Sequence, residues 1–258
     1  MLTERSARVV AAVKLHRHVG RQRAHRFLAE GPNLVEAASA RGLVRDLFVT
    51  EDAARRFASL LTGPVHLVTE RAAKALSDTV TPTGLVAVCE MPTTDLHDVL
   101  ATAPQLLVVA VDINEPGNAG TVIRIADAMG AAGVILAGHS VDPYNGKCLR
   151  ASTGSIFAIP VVVASETDAA LAAVQSAGLQ VLATTVDGET LLDDADLTAP
   201  TAWVFGPESH GLPADIAAAA DRRVRIPMAG GAESLNVAAA AAICLYQSAR
   251  ALGVVKPS

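Results

Sequence analysis

Aromatic side chains are scarce in this sequence: one Trp, two Tyr and five Phe make up 3% of 258 residues. Its core must therefore be assembled from Val, Leu, Ile and abundant Ala, whose small side chains let backbones approach closely. Cysteine is scarcer still. Cys89, Cys148 and Cys244 lie far apart, are odd in number and form no CxxC pair, which argues against a disulfide framework or a zinc site. Buried, reduced thiols and a cytoplasmic location are expected. No apolar run reaches the ~18 residues of a membrane span, so no membrane partner is expected. The opening MLTERSARVV carries charges where a signal peptide would need its apolar stretch. Charged residues, at 18% against 51% hydrophobic, are too few and too dispersed for a disordered chain. Internal repeats and low-complexity segments are also missing.

The length exceeds the usual size of one domain, and two modest domains are expected. The net charge of -5 conceals an asymmetry. Residues 1–30 hold Arg5, Arg8, Lys14, Arg17, Arg21, Arg23 and Arg26 against only Glu4 and Glu30. Such a basic cluster on an acidic protein suits a polyanion, because phosphate contacts favour clustered Lys and Arg. A solvated amphipathic helix would give the same composition.

Strand and helix patterns alternate from residue 26. RFLAE, LVRDLFVT, VHLV and GLVAVCE read as strands; PNLVEAASARG, EDAARRFASLL and ERAAKALS read as helices. This predicts a small layered α/β unit over 1–92. Residues 93–104, within a proline-bearing stretch of weak periodicity, read as a linker to a second domain over 105–258. That domain opens with QLLVVAVD, a continuous apolar run typical of a buried parallel strand. GVILAG, FAIPVVVA, LQVLATTV, TAWVFG and RRVRIP follow as strands, with intervening helices, which predicts a parallel sheet of about six strands. Open sheets of this kind bind ligands at the carboxyl ends of their strands.

Three loops at such ends carry the polar residues. The first, Asn114 to Gly120, leads into a helix bearing Arg124. Its glycine spacing is not G-x-G-x-x-G, which disfavours a dinucleotide site. Taken alone, Asn118 could cap the helix and Arg124 could pair with Asp127. The second, Gly206-Pro207-Glu208-Ser209-His210-Gly211, puts a carboxylate at the rim; Glu208 alone could be a solvated turn residue and His210 a surface residue. The third, around Gly230 and Gly231, runs through Ser234, itself a candidate N-cap, to Asn236 and an Ala-rich helix.

In combination these loops say more. N-x-G-x-x-x-R from Asn118, F-G-P-E-x-x-G from Phe205 and I-P-M-x-G-x-x-E-S-L-N-V-A-x-A from Ile226 occur in that order. The set resembles the SpoU/TrmH family of RNA 2'-O-ribose methyltransferases in the SPOUT superfamily, over nearly the whole chain. HRFLAEGPNLVEAA and LSDTVTPTGLVAV look like the family's ribosomal-protein-like substrate-binding domain. The resemblance implies an α/β protein whose small N-terminal domain binds RNA, followed by a parallel-sheet domain with a deep trefoil knot. S-adenosylmethionine would be the methyl donor, with no metal. Gly206, Ile226 and Leu235 would line its pocket, with Thr184 and Thr185 beside them. Asn118, Arg124, Glu208, Ser234 and Asn236 would surround the acceptor ribose as the catalytic group. RNA, expected to be ribosomal RNA, would contact Arg8, Lys14, Arg17, Arg21, Arg23 and Arg26, and the protein would be a homodimer joined at the knot. A transfer-RNA enzyme and an inactive RNA-binding member are the alternatives. The reaction implied is in-line attack of a ribose 2'-oxygen on the sulfonium methyl. Family proposals make Arg124 the general base; with a pKa of about 12.5 or higher an arginine stays protonated, so a cationic role on a phosphate or developing alkoxide is expected here. The second motif departs from the common G-N-E-G by carrying Pro207, which has no N–H to donate.

Overall fold

Near-continuous apolar runs require burial on both faces, and the strands satisfy this in two separate sheets. The computed structural model describes residues 1–254 and divides into two units, Met1–Thr93 with Asp142–Phe157, and Thr94–Val141 with the chain from Ala158 onward. Residues 255–258 of the expected second domain lie outside the described residues.

The first unit is built on β1 (Arg26–Glu30), β2 (Val44–Val49), β3 (Val65–Leu67) and β4 (Leu85–Glu90), in the order β1-β4-β2-β3. β4 pairs antiparallel with β1 and β2, and β3 runs parallel to β2. Alternation decides which side chains go where. Leu28, Phe48, Val86 and Val88 join Val9, Ala12, Leu15 and Leu76 in one cluster. Phe27, next to Leu28, packs instead against Tyr144 in a tilted arrangement and stacks on Phe157, with ring centroids 4.9 Å and 5.7 Å away. Thr50 and Thr69 start the following helices by accepting from the amides of Ala53 and Ala72, both at 3.2 Å. The basic N-terminal stretch forms two short helices, Ala7–Val13 and His18–Ala24, joined by a 3-10 turn.

The second unit is a seven-stranded, wholly parallel sheet in the order β7-β6-β5-β10-β8-β11-β9. Its strands are β5 (Leu106–Val111), β6 (Val134–Ala137), β7 (Val161–Ala164), β8 (Gln180–Thr184), β9 (Thr190–Leu191), β10 (Thr201–Phe205) and β11 (Arg222–Arg225). The six strands read from the sequence, the arginine-rich RRVRIP among them, are present. β9, two residues long, is additional and too short to leave a pattern. The fully buried Trp203 donates from Nε1 to Ser248 Oγ at 2.8 Å, tying β10 to the C-terminal helix Val237–Ala251.

Local details depart from the sequence reading. The stretch 91–104 contains a short helix, Leu96–Leu100, because Asp95 accepts from the His97 amide at 2.7 Å and caps it. The loop expected over Asn114–Gly120 ends early: a helix begins at Pro116 and runs to Ala128, with Glu115 as its N-cap. Proline is tolerated in a first helical turn, whose amides have no intrahelical acceptor. The helix expected over 51–61 stops at Arg56, and a helix not expected forms at Gly146–Ser152.

Candidate functional site

Neighbouring strands β10, β8 and β11 end at the same edge of the second sheet, and the loops leaving them enclose a cavity of about 620 Å³. Its lining includes Thr184 and Thr185 after β8, Gly206 and Glu208 after β10, and Ile226, Ser234 and Leu235 after β11. The β10 loop turns tightly. A Cβ on Gly206 would lie 2.6 Å from the Leu212 nitrogen, so only glycine lets the loop fold back there. Pro207 has no amide to donate, yet its carbonyl accepts from the Gly211 amide at 2.9 Å and closes the same turn.

Glu208 is the hub of the rim. Its Oε1 accepts from Asn118 Nδ2 at 2.8 Å, from Asn236 Nδ2, and from the Val237 amide at 3.1 Å. Asn236 also caps the last helix: its Oδ1 accepts from the amides of Ala238 and Ala239 at 3.0 and 3.3 Å. The N-cap is therefore Asn236 and not Ser234, and Glu115 and not Asn118. A helix, a loop and a helix cap meet on one carboxylate oxygen, and this holds the two amide side chains in fixed orientations.

Arg124 stands apart from this group. It is exposed on the Pro116–Ala128 helix, makes no ion pair with Asp127 or any other described residue, and is not part of the cavity lining. Ser234 lines the cavity without a hydrogen bond among the described residues, and the Ser209 hydroxyl lies 2.8 Å from His210 Nδ1.

Sequence reasoning missed one wall. The loop after β8 brings Asp187 to the cavity, where Arg223 of β11 binds Asp187 at 3.2 Å and Glu189 at 3.1 Å. Gly188 is buried between them, where a Cβ would lie 2.7 Å from the backbone of Val224. The Asp-Gly pair directly after a strand was the available signal. Beside this wall, Thr185 Oγ1 is buried without a hydrogen-bond partner among the described residues. The Asp187 carboxylate is held below the usual range, first by its closeness to this hydroxyl, then by its own backbone amide and by Arg223. An unpartnered hydroxyl, a glycine turn and a lining that mixes polar and apolar side chains fit a nucleoside-sized ligand such as S-adenosylmethionine.

Of the six basic residues expected to meet RNA, Arg8, Lys14, Arg17, Arg23 and Arg26 are exposed. Arg21 is not. At 3% exposure it donates from Nε to Asp142 Oδ2 at 2.7 Å and from Nη1 to the carbonyls of Leu15 and His16, both at 2.9 Å. Its charge is spent inside the first unit, which removes it from the RNA-contacting set. All three thiols are buried and free, and burial pushes Cys89 and Cys148 up to about 12 and raises Cys244 as well. None is available as a nucleophile at neutral pH.

Comparison with known proteins agrees with this geometry. Residues 105–246 match the SpoU rRNA Methylase family, and residues 7–87 match the MRM3-like substrate binding domain. The chain is 37% identical over 238 residues to the 23S rRNA (guanosine(2553)-2'-O)-methyltransferase RlmP of Bacillus subtilis, covering 90% of this chain and 92% of that one. It is 40% identical over 174 residues to a 23S rRNA (uridine(2479)-2'-O)-methyltransferase of Streptomyces viridochromogenes, covering 66% and 61%. Among solved structures, the SpoU methyltransferase AviRb of Streptomyces viridochromogenes in complex with the cofactor AdoMet superposes with a TM-score of 0.86 at 33% identity, over 95% of this chain and 98% of that one. The chain belongs to the SpoU rRNA methylase family.

Proposed function

We propose that this protein transfers a methyl group from S-adenosylmethionine to a ribose 2'-hydroxyl of ribosomal RNA. The observation that carries this reading is the Asn118–Glu208–Asn236 cluster at the rim of a cavity built from strand ends. The named relatives act on 23S rRNA at the 2'-oxygen, which supports the substrate class. Thr184, Thr185, Gly206, Ile226 and Leu235 would hold the donor, which when bound supplies an electrophilic methyl on a sulfonium.

The chain's own residues then have to place one hydroxyl and help its proton leave. Positioning dominates such a displacement. Asn118 and Asn236 orient the acceptor ribose, and Glu208 keeps both amides from rotating. Oε1 of Glu208 is engaged three times, while Oε2 accepts from no described residue and stays open to the acceptor hydroxyl or a water. Ser234 offers a hydroxyl on the same rim. Arg124, exposed and without an ion pair among the described residues, acts as a cation on the acceptor phosphate or the developing alkoxide.

In this reading residues 1–92 bind structured RNA through Arg8, Lys14, Arg17, Arg23 and Arg26, and residues 105–258 are the methyltransferase domain. The glycines at 230 and 231 belong to a knotted C-terminal segment. Two copies pair through the helix Val237–Ala251, whose Ile243 and Tyr246 are 37% and 46% exposed. Pairing would bring a neighbour's residues to each site. The protein works in the cytoplasm, where ribosomal RNA is processed.

Tritium transfer from labelled S-adenosylmethionine to ribosomal and transfer RNA lacking prior modification tests this, with mapping of the product. Label on a single ribose of ribosomal RNA is the expected result. Label confined to transfer RNA would replace the substrate, and donor binding without transfer to either would leave an inactive RNA-binding protein.

A further inference from the structure

Of the exposed cations of the first unit that are expected to meet RNA, one is held in place. Arg8 Nη1, on the helix Ala7–Val13, lies 3.3 Å from His66 Nδ1 on β3, and His66 Nε2 lies 2.7 Å from Asp46 Oδ1 on β2. The side chains of Lys14, Arg17, Arg23 and Arg26 have no hydrogen bond or ion pair among the described residues. An arginine only donates, so His66 Nδ1 is the acceptor. The ring proton then sits on Nε2 and is donated to Asp46.

The ring itself has little freedom. β2 and β3 pair in parallel with Phe48 opposite His66, and the two rings lie 5.3 Å apart. Only 13% of the His66 side chain is exposed. The helix bearing Arg8 is fastened independently of this bond. Val9 and Ala12 are buried in the core of the unit, and Leu2 donates to the Leu67 carbonyl at 2.7 Å and accepts from the Thr69 amide at 3.0 Å. An exposed Arg8–His66 bond adds little to such an anchorage. What it does set is the direction of the guanidinium.

The chemistry of the partner also separates Arg8 from other arginines of this unit. Arg45, Arg56, Arg71 and Arg150 pair with the carboxylates of Glu90, Asp52, Glu4 and Asp78, and the buried Arg21 with Asp142. A carboxylate cancels much of the charge that it orients. A neutral imidazole nitrogen orients Arg8 and leaves its charge and its other N–H groups for an anion, and the planar fork of a guanidinium suits a phosphate. We propose that Asp46 and His66 are positioning residues that hold Arg8 preset for a phosphate of the bound RNA. The inference rests on the reading of RNA as substrate. Asp46 fixes the tautomer, His66 fixes the guanidinium, and Arg8 meets the phosphate with little further loss of side-chain freedom.

The test measures binding of unmodified ribosomal RNA to the full chain over a salt series. Arg8→Ala should weaken binding by about tenfold or more, the scale of a charge-assisted hydrogen bond, and lower the log–log salt slope by about one. His66→Ala and Asp46→Ala should each weaken binding by about threefold to tenfold more in the wild-type background than in the Arg8→Ala background, the scale of ordering one long side chain. Taking that difference cancels the direct effect of removing a carboxylate. Nitrogen-15 shifts of His66 in the free protein should show a bare Nδ1 and a protonated Nε2. Equal changes in both backgrounds overturn the proposal and reduce the relay to fold stability. Wild-type affinity and slope in Arg8→Ala, or a proton on Nδ1, overturn it as well. Because RNA is read here by binding and not by turnover, absent methyl transfer with the coupling intact would refute only the proposed reaction, and methyl transfer without the coupling only this inference.

Discussion

Arg21 in the first unit and Glu208 in the second each gather three protein partners, at least one of them 90 or more residues away in sequence. Arg21 holds Asp142 and two carbonyls, and Glu208 holds Asn118, Asn236 and the Val237 amide. The two centres differ in what they leave over. Arg21 is buried and its donors are consumed, so its charge serves cohesion alone. Glu208 is exposed, is engaged through one oxygen, and keeps the other open at the rim of a large cavity. A count of hydrogen bonds would rank the two together. The unsatisfied remainder and its access to ligand separate a structural cluster from a working one.

The comparison can be broken at four points. Arg21→Met leaves the nearly buried Asp142 carboxylate unpaired and should cost about 3–5 kcal/mol in urea unfolding. Adding Asp142→Leu should recover most of that loss; if it does not, the bonds to the Leu15 and His16 carbonyls matter more than the ion pair. Glu208→Gln should lower turnover about 10²-fold, or about 2.7 kcal/mol, with little change in the unfolding midpoint. Near-normal turnover would demote the hub to scaffolding. Asn236→Ala removes a helix cap worth about 1 kcal/mol, and Asn236→Asp retains the cap but sets a second carboxylate against Glu208. Both should lose turnover, and thermal melting should show a cap loss only in the alanine variant.

The smallest effect concerns pH. The amides of Glu189 itself and of Arg223 hold the Glu189 carboxyl below the ordinary glutamate range. A lowered folded pKa means that the contribution is complete at neutral pH and is lost only as pH falls through that lowered value. The melting difference between wild type and Glu189→Gln should therefore stay flat from neutral to mildly acidic pH and close below the usual carboxylate range. Solvent screening keeps it small. A difference that changes near neutrality would point to another group.

Parts of this architecture were legible residue by residue. QLLVVAVD and TAWVFG announce buried parallel strands because nothing polar interrupts them, and they form adjacent strands β5 and β10. Thr184, Thr185, Gly206, Ile226 and Leu235 were singled out by motif and all line the large cavity. Other features left no local trace. Pro116 and Gly117 look like loop residues but occupy a first helical turn, where neither is costly. The run 142–157 carries no pattern that assigns it to the first unit, yet it supplies Asp142 to Arg21 and Tyr144 to Phe27. Arg21 is indistinguishable in sequence from the exposed arginines around it.

The sequence by itself determined the layered α/β class, the parallel sheet, the order of the three motif loops and the family they belong to. The class and the sheet follow from local periodicity and residue type, which act over a few neighbours, and the family from the resemblance carried by the three motifs together. Only the tertiary structure decided that Asn236 and not Ser234 caps the last helix, that one oxygen of Glu208 joins Asn118 to Asn236, and that Arg21 faces inward. The cap is made by contacts two and three residues apart, but the last two outcomes rest on contacts between groups 90 and 121 residues apart. Such partners meet only when strands pair and loops converge, so their burial and hydrogen bonding are properties of the folded chain.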